Sequence, residues 1–219
     1  MYNGILLYEV GGINMGSLAS SFATNANIDS GSCKSVAVRR TALELFATKG
    51  FQSVSLRQLA DAVGIQAGSL YNHIESKQTL LFDFIEELDS LLLHAITQEL
   101  KSRRNAISAL EAFVKTYMTI ALENRSLYVL SRRETCNLLA EQQADINRIR
   151  VRVVELLSGV IALGRTRGVF HAQDDRMTAG TICATLDGAL TKEWGSDVCV
   201  ASLVKQIQKF VLQAVLSKQ

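Results

Sequence analysis

The sequence predicts an all-α protein, and three observations lead to this fold class. Its 219 residues include no proline, apolar positions recur every three or four residues almost throughout, and the alternation typical of strands is hard to find. Because the apolar stripe of one helix must be covered by another, we expect layers of packed helices. A chain of this length is long enough for one large domain or two small ones.

The first 33 residues differ in composition from the rest of the chain. They carry two acidic residues and no Lys or Arg, and their apolar run, Ile5 to Tyr8, is short. A signal peptide needs a basic start and a longer apolar core. We therefore expect residues 1–33 to form a disordered arm, with Met15 as an alternative start.

Segment 55–77 has the spacing of a helix-turn-helix that continues into a third helix. Its apolar residues recur at three- and four-residue intervals over 56–63, which is typical of a short helix buried on one side. Ser55 precedes this stripe, and Gln58 lies three positions on, which is the arrangement of a capping box. Gly64 follows where the helix must end in a sharp turn.

A second short helix is predicted over residues 66–72. Ile65 and Leu70 are its expected inward contacts, whereas its outward side chains are mostly small and polar. Such side chains reach phosphates and base edges in a major groove about 12 Å wide. Ala60 and Gly64 supply the small residue and the turn glycine of a helix-turn-helix, although the same spacing also fits a plain helical hairpin.

The charge of the chain is small but unevenly distributed. Net charge is only +2, yet residues 34–77 carry six basic and three acidic side chains, against 17 basic and 16 acidic ones beyond them. The positive excess therefore coincides with the helix-turn-helix, as attraction to DNA phosphates requires. Because this excess is modest, we expect tight DNA binding to need two copies of the chain.

From Val38 to about Leu88 the chain resembles the N-terminal domain of TetR-family transcriptional regulators. The resemblance rests on VRRTALELFATKGFQSVSLRQLADAVGIQAGSLYNHIESKQTLL. This segment contains the entry LF-x-x-x-GF, the helix-turn-helix S-x-x-x-x-A-x-x-x-G, the recognition helix G-S-L-Y-x-H and the start S-K-x-x-L-L of the next helix. Two positions depart from the family pattern, because Val54 replaces a common threonine and Ile74 replaces the usual phenylalanine.

This resemblance implies which side chains meet DNA. Ser55 and Arg57 would contact the DNA backbone near the start of the helix predicted over 56–63, and Lys77 would anchor a phosphate. Gln66 and Ser69 are expected to read bases, because Gln can bond adenine in a bidentate manner. The full set of expected DNA contacts is Ser55, Arg57, Gln66, Ala67, Gly68, Ser69, Tyr71, Asn72, His73 and Lys77.

The remaining two thirds of the chain are predicted to be helical. A long helix begins near Leu80 and keeps apolar residues at helical spacing as far as Ile96. The expected domains are the arm at 1–33, a helix-turn-helix domain at 34–80 and a ligand-binding and dimerisation domain at 81–219. Further helices are expected near 103–123, 126–140, 142–165, 174–194 and 198–216.

The last two predicted helices are the expected dimer interface. In the first, small residues repeat every four positions and allow another helix to approach closely, and in the second an apolar stripe follows one face. An intramolecular core explains either stripe equally well, but the resemblance favours a four-helix bundle of two chains. A two-fold dimer then demands a palindromic operator. The interface residues would be Gly180, Ala184, Gly188, Leu203, Ile207, Phe210 and Val211.

The resemblance also implies a pocket for a small-molecule effector among the central helices. Aromatic residues at helical spacing fit a plain core as well as a pocket. The motif RRETCNL, the later G-V-F and Trp194 resemble regulators that sense acyl-CoA thioesters or related lipid-like molecules, although multidrug-type sensors have equally diffuse sequences. The expected lining residues are Phe113, Tyr117, Met118, Tyr128 and Arg132.

Other functional classes find less support in the sequence. The three histidines and four cysteines form no nucleophile–base pair or metal-ligand spacing, so we expect no enzyme, metal or cofactor site. Widely spaced cysteines are typical of a cytoplasmic protein, and no run approaches the roughly 18 apolar residues of a membrane span. The alternative is an all-α interaction protein whose helix-turn-helix no longer binds DNA.

Overall fold

The computed structural model describes residues 30–192 and 199–216, with side chains described from Lys34 onward. Residues 1–29 of the predicted N-terminal arm, which include Met15, and Trp194 lie outside the described residues. Residues 30–33, which were predicted to belong to the disordered arm, instead form the first turn of a helix that spans Ser30–Lys49. Within the described part the secondary structure is helical, apart from turns and a bridge between Phe170 and Leu216, which confirms the predicted fold class. The helices are α1 (Ser30–Lys49), α2 (Leu56–Val63), α3 (Ala67–Leu70), α4 (Lys77–Lys101), α5 (Ala106–Glu123), α6 (Arg125–Glu134), α7 (Ala140–Thr166), α8 (Asp175–Thr191) and α9 (Val200–Val215).

Helix α2 begins and ends where its sequence predicts. Ser55 Oγ accepts a hydrogen bond from the Gln58 backbone N–H at 3.2 Å, and Gln58 Oε1 accepts one from the Ser55 N–H at 2.8 Å. This reciprocal pair confirms the capping box. Gly64 ends the helix with a φ of 76°, a left-handed conformation that residues with a Cβ rarely adopt.

The helix predicted over 126–140 is divided in the structure. Helix α6 ends at Glu134, and a 3₁₀ turn over Thr135–Asn137 follows it. Leu138 then takes an extended backbone conformation and is buried, so the chain changes direction before α7 begins. This division places residues 133–137 beside the N-terminal helices.

We call residues 30–80 the head and the described residues after them the body, so that α4 begins in the head and continues into the body. Helix α1 packs against α2 and α6, and its Phe46 ring meets the Phe84 ring of α4 edge-on at 6.4 Å. In the body α5 is central, because it packs against α4, α7, α8 and α9. One continuous apolar cluster runs from Val38 in the head to Val215 in α9. None of the described helices combines the length and apolarity needed to cross a membrane.

Candidate nucleic-acid interface and effector cavity

The helix-turn-helix presents a polar and accessible surface. On α3, Ala67 and Gly68 are exposed and Leu70 is fully buried, and Tyr71, which follows the helix, is 60% exposed. An aromatic ring held in solvent beside small polar residues is suited to contact a phosphate backbone. Of the predicted DNA contacts, Ser55, Arg57, Gln66, Ala67, Gly68, Tyr71 and Asn72 are exposed, and Ser69, His73 and Lys77 are partly buried.

Helix α3 is shorter than the predicted span of residues 66–72. The N–H groups of Asn72 and His73 bond the carbonyls of Ser69 and Leu70, three residues earlier, at 3.2 and 2.9 Å. Bonds of this kind tighten the chain into a turn. Asn72 and His73 therefore follow the recognition helix instead of belonging to it.

Lys77 has internal hydrogen-bond partners that the sequence did not suggest. Its Nζ donates to the carbonyls of Phe51 and Val54, both at 2.9 Å, and lies 4.2 Å from the centre of the Phe51 ring. Partial burial lowers the pKa of this ammonium group. Lys77 thus ties the start of α4 to the turn between α1 and α2, and its phosphate contact stays a prediction.

Several basic side chains surround the head. Arg39 forms an ion pair with the body, because its guanidinium lies 2.6 Å from the Glu87 carboxylate of α4. Exposed basic side chains on the head are Lys34, Arg40, Lys49 and Arg57. They supply positive charge at the surface that would attract phosphates.

The end of α6 fastens the body to the head. Arg133 Nη2 donates to the carbonyls of Phe46 and Ala47, at the end of α1, at 2.9 and 3.2 Å. The buried carboxylate of Glu134 accepts bonds from Arg133 Nε at 2.9 Å and from the Phe51 N–H at 3.4 Å. A charged pair on α6 therefore adds hydrogen bonds to the backbone at the C-terminal end of α1 and in the turn that follows it.

Asn137, in the turn after α6, extends this connection. Gln52 Nε2 donates to Asn137 Oδ1 at 2.8 Å, and Gln78 Nε2 donates to the Asn137 carbonyl at 3.0 Å. Asn137 Nδ2 in turn donates to Glu134 Oε2 at 2.7 Å. We call these contacts of residues 133–137 with the head the joint.

A cavity of about 80 Å³ lies inside the body, among α4, α5, α6, α7 and α8. One wall is apolar and the other carries charges. The apolar wall consists of Leu92, Ile149, Val153 and Val154, and the polar wall of Asp89, Tyr117, Arg132, Arg150, Cys183 and Asp187.

Asp89 is the most buried charge of the polar wall. Its side chain is 2% exposed, and it receives Arg132 Nη1 at 3.1 Å and Arg150 Nε at 2.7 Å. A carboxylate in such surroundings is stable only when it is paired and hydrogen-bonded. Two guanidinium groups from two helices provide that pairing.

Asp187 receives three donors on one oxygen. Tyr117 OH donates to Asp187 Oδ1 at 2.7 Å, Tyr128 OH donates to the same atom, and Arg132 Nε lies 3.4 Å from it. Burial raises the pKa of both phenols, so they are protonated and act as donors. The Arg132 guanidinium also lies 4.6 Å from the centre of the Tyr128 ring. We call Asp89, Tyr117, Tyr128, Arg132, Arg150 and Asp187 the polar cluster.

The predicted effector residues fall into two groups. The structure brings Tyr117, Tyr128 and Arg132 together at the polar cluster. Phe113 and Met118 are fully buried and are not among the residues that line the cavity. In these two cases the helical spacing of aromatic and methionine residues indicated core positions, because both side chains lie on buried faces of α5.

Sequence reasoning missed Asp89, Arg150 and Asp187. Asp89 offered a signal, since it lies four residues after Ile85 on the face of α4 that buries Leu88 and Leu92. A charge on an otherwise apolar face is rare unless it is paired. Its partners on α6 and α7 are distant in sequence and carried no comparable signal.

The predicted dimer residues are also divided by the fold. Ala184 and Gly188 are exposed on α8, Gly180 is partly exposed beside them, and Phe210 on α9 is 57% exposed. Among the described residues, a Cβ added at Gly180 or Gly188 would meet no atom within 4 Å other than those of its chain neighbours and of the nearby backbone of its own helix. Leu203 and Val211 are instead buried within the chain, and Ile207 is partly buried, because this side of α9 covers α5.

Two family models match this chain. The model described as "Bacterial regulatory proteins, tetR family" matches residues 38–84, and "Tetracyclin repressor-like, C-terminal domain" matches residues 104–194. The HTH-type transcriptional repressor KstR2 of Rhodococcus jostii (strain RHA1) is 27% identical over 183 residues, which are 80% of this chain and 88% of the relative.

Solved structures share the fold. A tetR-family bacterial regulatory protein from Rhodococcus RHA1 superposes with a TM-score of 0.78 at 24% identity, covering 85% of this chain and 98% of the other. AibR, solved in complex with isovaleryl coenzyme A and operator DNA, gives a TM-score of 0.71 at 18% identity, covering 84% of this chain and 98% of the other. Because both the helix-turn-helix and the C-terminal region match models of one family and the fold agrees, the chain belongs to the TetR family of bacterial transcriptional regulators.

Proposed function

We propose that this chain is a ligand-responsive repressor that acts by binding and not by catalysis. It binds a palindromic operator in the cytoplasm as a homodimer and is released by a small molecule. The observation that carries the proposal is the helix-turn-helix, whose outer side chains are accessible while its inner side is buried. KstR2, the relative reported above, is itself named a transcriptional repressor, which favours repression over activation.

In this proposal residues 34–80 form the DNA-binding domain. Gln66 and Ser69 read bases in the major groove, while Tyr71 and His73 hold the phosphate backbone. Two copies of α3 related by a two-fold axis meet two half-sites about one helical turn apart. The modest positive excess of one head is thereby doubled on a single operator.

Residues 81–219 form the regulatory and dimerisation domain. The exposed small residues on α8 and the exposed Phe210 on α9 support an interface through these two helices. Small side chains allow close helix approach, and a large exposed aromatic side chain is typical of an interface core. In this arrangement Leu203 and Val211 pack in the core of each chain and do not contribute to the interface.

The effector is proposed to be an acyl compound or another lipid-like molecule that enters the cavity of the body. Support comes from the joined apolar and charged walls, which suit a ligand with a tail and a polar head. AibR was solved with isovaleryl coenzyme A, and the acyl part of that ligand supports an acyl compound as the effector.

Helix α6 provides the route from effector to operator. Its Arg132 belongs to the polar cluster, and the next residue, Arg133, holds the end of α1. A ligand that moves α6 therefore changes the position of the head relative to the body. By linkage, operator DNA must weaken binding of such a ligand by the same factor.

Binding-site selection from random DNA with the full-length chain tests the proposal. The selected site should be palindromic, and Gln66→Ala should weaken binding to it about 30-fold or more, since the substitution removes one bidentate base contact in each half-site and each contact contributes about 1–3 kcal/mol. The matched control is Asn147→Ala on the exposed side of α7, which should leave operator affinity unchanged. Absence of any selected site at low salt would contradict the proposal and favour an interaction protein instead.

A further inference from the structure

Asp187 differs from the other carboxylate of the polar cluster in its accessibility. Its side chain is 38% exposed, whereas that of Asp89 is 2% exposed and is clamped between two arginines. Asp187 can therefore leave the cluster for solvent, while Asp89 cannot. Asp187 also lies on α8, one residue before the exposed Gly188.

The hydrogen-bond donors around Asp187 Oδ1 form a binding site for a carboxylate oxygen. Two phenol hydroxyls and one guanidinium converge on its Oδ1, and Arg132 Nη2 donates to Tyr117 OH at 3.1 Å, which orients that phenol. Charge-assisted bonds of this kind are the strong ones in a buried site. An oxygen carrying negative charge is the group that these donors fit.

Charge balance favours the same occupant. With Asp89 and Asp187 present, the two carboxylates balance Arg132 and Arg150. If Asp187 turned out to solvent, one positive charge would remain uncompensated beside the cavity. A neutral or cationic head group would leave that charge buried, whereas an anion would restore neutrality.

We propose that the effector is an aliphatic carboxylic acid whose carboxylate displaces the Asp187 carboxylate from Tyr117, Tyr128 and Arg132. Without the effector, Asp187 occupies that position itself. The inference rests on the proposed function and narrows its effector class. The tail of the acid lies along Leu92, Ile149 and Val153. The cavity of about 80 Å³ is far smaller than the roughly 300–1,000 Å³ of most ligand pockets, so a short acid fits and a whole coenzyme A thioester does not.

Displacement of Asp187 also removes a contact between α6 and α8. The remaining described bonds between these helices include Arg125 Nη1 to the Leu190 carbonyl at 3.0 Å, near the end of α8. The acid therefore loosens the middle of α8 from α6 while the end stays attached. Both the joint and the proposed dimer surface lie on elements that this exchange releases.

Isothermal titration calorimetry on the full-length chain tests the inference with linear acids from acetate to octanoate. The amide, the primary amine and the coenzyme A thioester of the best-binding acid serve as matched probes. We expect the acid to bind at least tenfold more tightly than each of them, because only the acid replaces the lost negative charge. If no acid binds with a Kd below roughly 10 mM, or if any matched probe binds as tightly, the inference is overturned.

Variants separate displacement from ordinary binding. Asp187→Asn removes the competing charge and should strengthen acid binding by about tenfold, because the site is no longer self-occupied. Tyr128→Phe removes one donor and should weaken it by roughly tenfold. Unchanged or weaker acid binding in Asp187→Asn with a normal melting curve contradicts the idea.

Operator binding without acid is measured on the same preparations. If the chain binds its selected operator but no acid, the carboxylate inference fails alone. If the chain binds no DNA, the proposed function fails, whatever the calorimetry shows.

Discussion

Single residues at the head serve two tasks, recognition and support. Ser55 shows this, since its hydroxyl completes a capping box while the residue stays exposed at the start of α2. Lys77 shows it more strongly, because an ammonium group expected on a phosphate also holds the turn between α1 and α2. The charge of a side chain therefore indicates which groups it attracts, whereas its neighbours in the fold decide how many of its hydrogen-bond donors remain available to DNA.

Lys77→Ala separates these two tasks. We expect a loss of about 1–2 kcal/mol in the free energy of unfolding, because the carbonyls of Phe51 and Val54 lose a charged donor. Thermal unfolding of the full-length chain measures this loss. Lys49→Ala, at the exposed end of α1, is the control and should melt like the wild type.

The salt dependence of operator binding supplies the second measurement for Lys77. If the third N–H of Lys77 also meets a phosphate in each subunit of the dimer, the slope of log affinity against log salt should fall by about two. A smaller slope with unchanged stability would contradict the internal role and leave only the phosphate contact.

At the scale of elements, close packing sets the course of the chain after α7. A Cβ built on Gly164 would lie 1.9 Å from the ring of Phe170, so the ring covers the backbone of the helix. Phe170 is buried and its neighbour His171 donates its backbone N–H to the Val215 carbonyl at 2.7 Å. One missing side chain on α7 thus allows the loop to pass close by and meet the end of α9.

Gly164→Ala should destabilise the chain by about 1–3 kcal/mol, because the added methyl group forces the Phe170 ring to move. The matched control is Gly159→Ala, on the exposed side of the same helix, where the new Cβ would meet no atom of another described element within 4 Å. There the higher helix propensity of Ala should add about 0.5–1 kcal/mol of stability. Thermal unfolding of both variants checks the pair, and equal destabilisation would contradict the packing argument.

At the scale of the whole molecule, the joint and the polar cluster lie on successive residues of one helix. Arg132 contacts groups of α4, α5 and α8, and Arg133 contacts the end of α1. A shift of α6 therefore reaches the effector cavity and the head together. The proposed dimer surface on α8 contacts the same helix through Asp187.

Ala184→Arg tests that surface. A long charged side chain in the middle of the small-residue face of α8 should weaken dimerisation on the order of 100-fold or more, since an uncompensated buried charge costs several kcal/mol. Analytical ultracentrifugation measures the dimer, and operator affinity should fall with it. Ala144→Arg, on the exposed side of α7, is the control and should remain dimeric. A dimer that persists in Ala184→Arg would place the interface elsewhere.

Local sequence patterns were sufficient to predict most of the helices, the capping box at Ser55 and the glycine turn at Gly64, but not the division of the helix predicted over 126–140 or the short length of α3. These features depend on residues within about four positions of one another, so their spacing can be recognised in one dimension. The same local motifs identified the family and therefore the outline of the function.

The polar cluster, the joint and the division of α9 into buried and exposed sides were decided only by tertiary packing. Asp89, Arg132, Arg150 and Asp187 come from four helices and meet because those helices cross at one place. Likewise, Leu203 and Phe210 share an apolar helix, and only the position of α5 determines that the first is covered and the second is exposed. Helical spacing shows that a face must be buried, but it does not specify whether the covering surface comes from the same chain or from a partner.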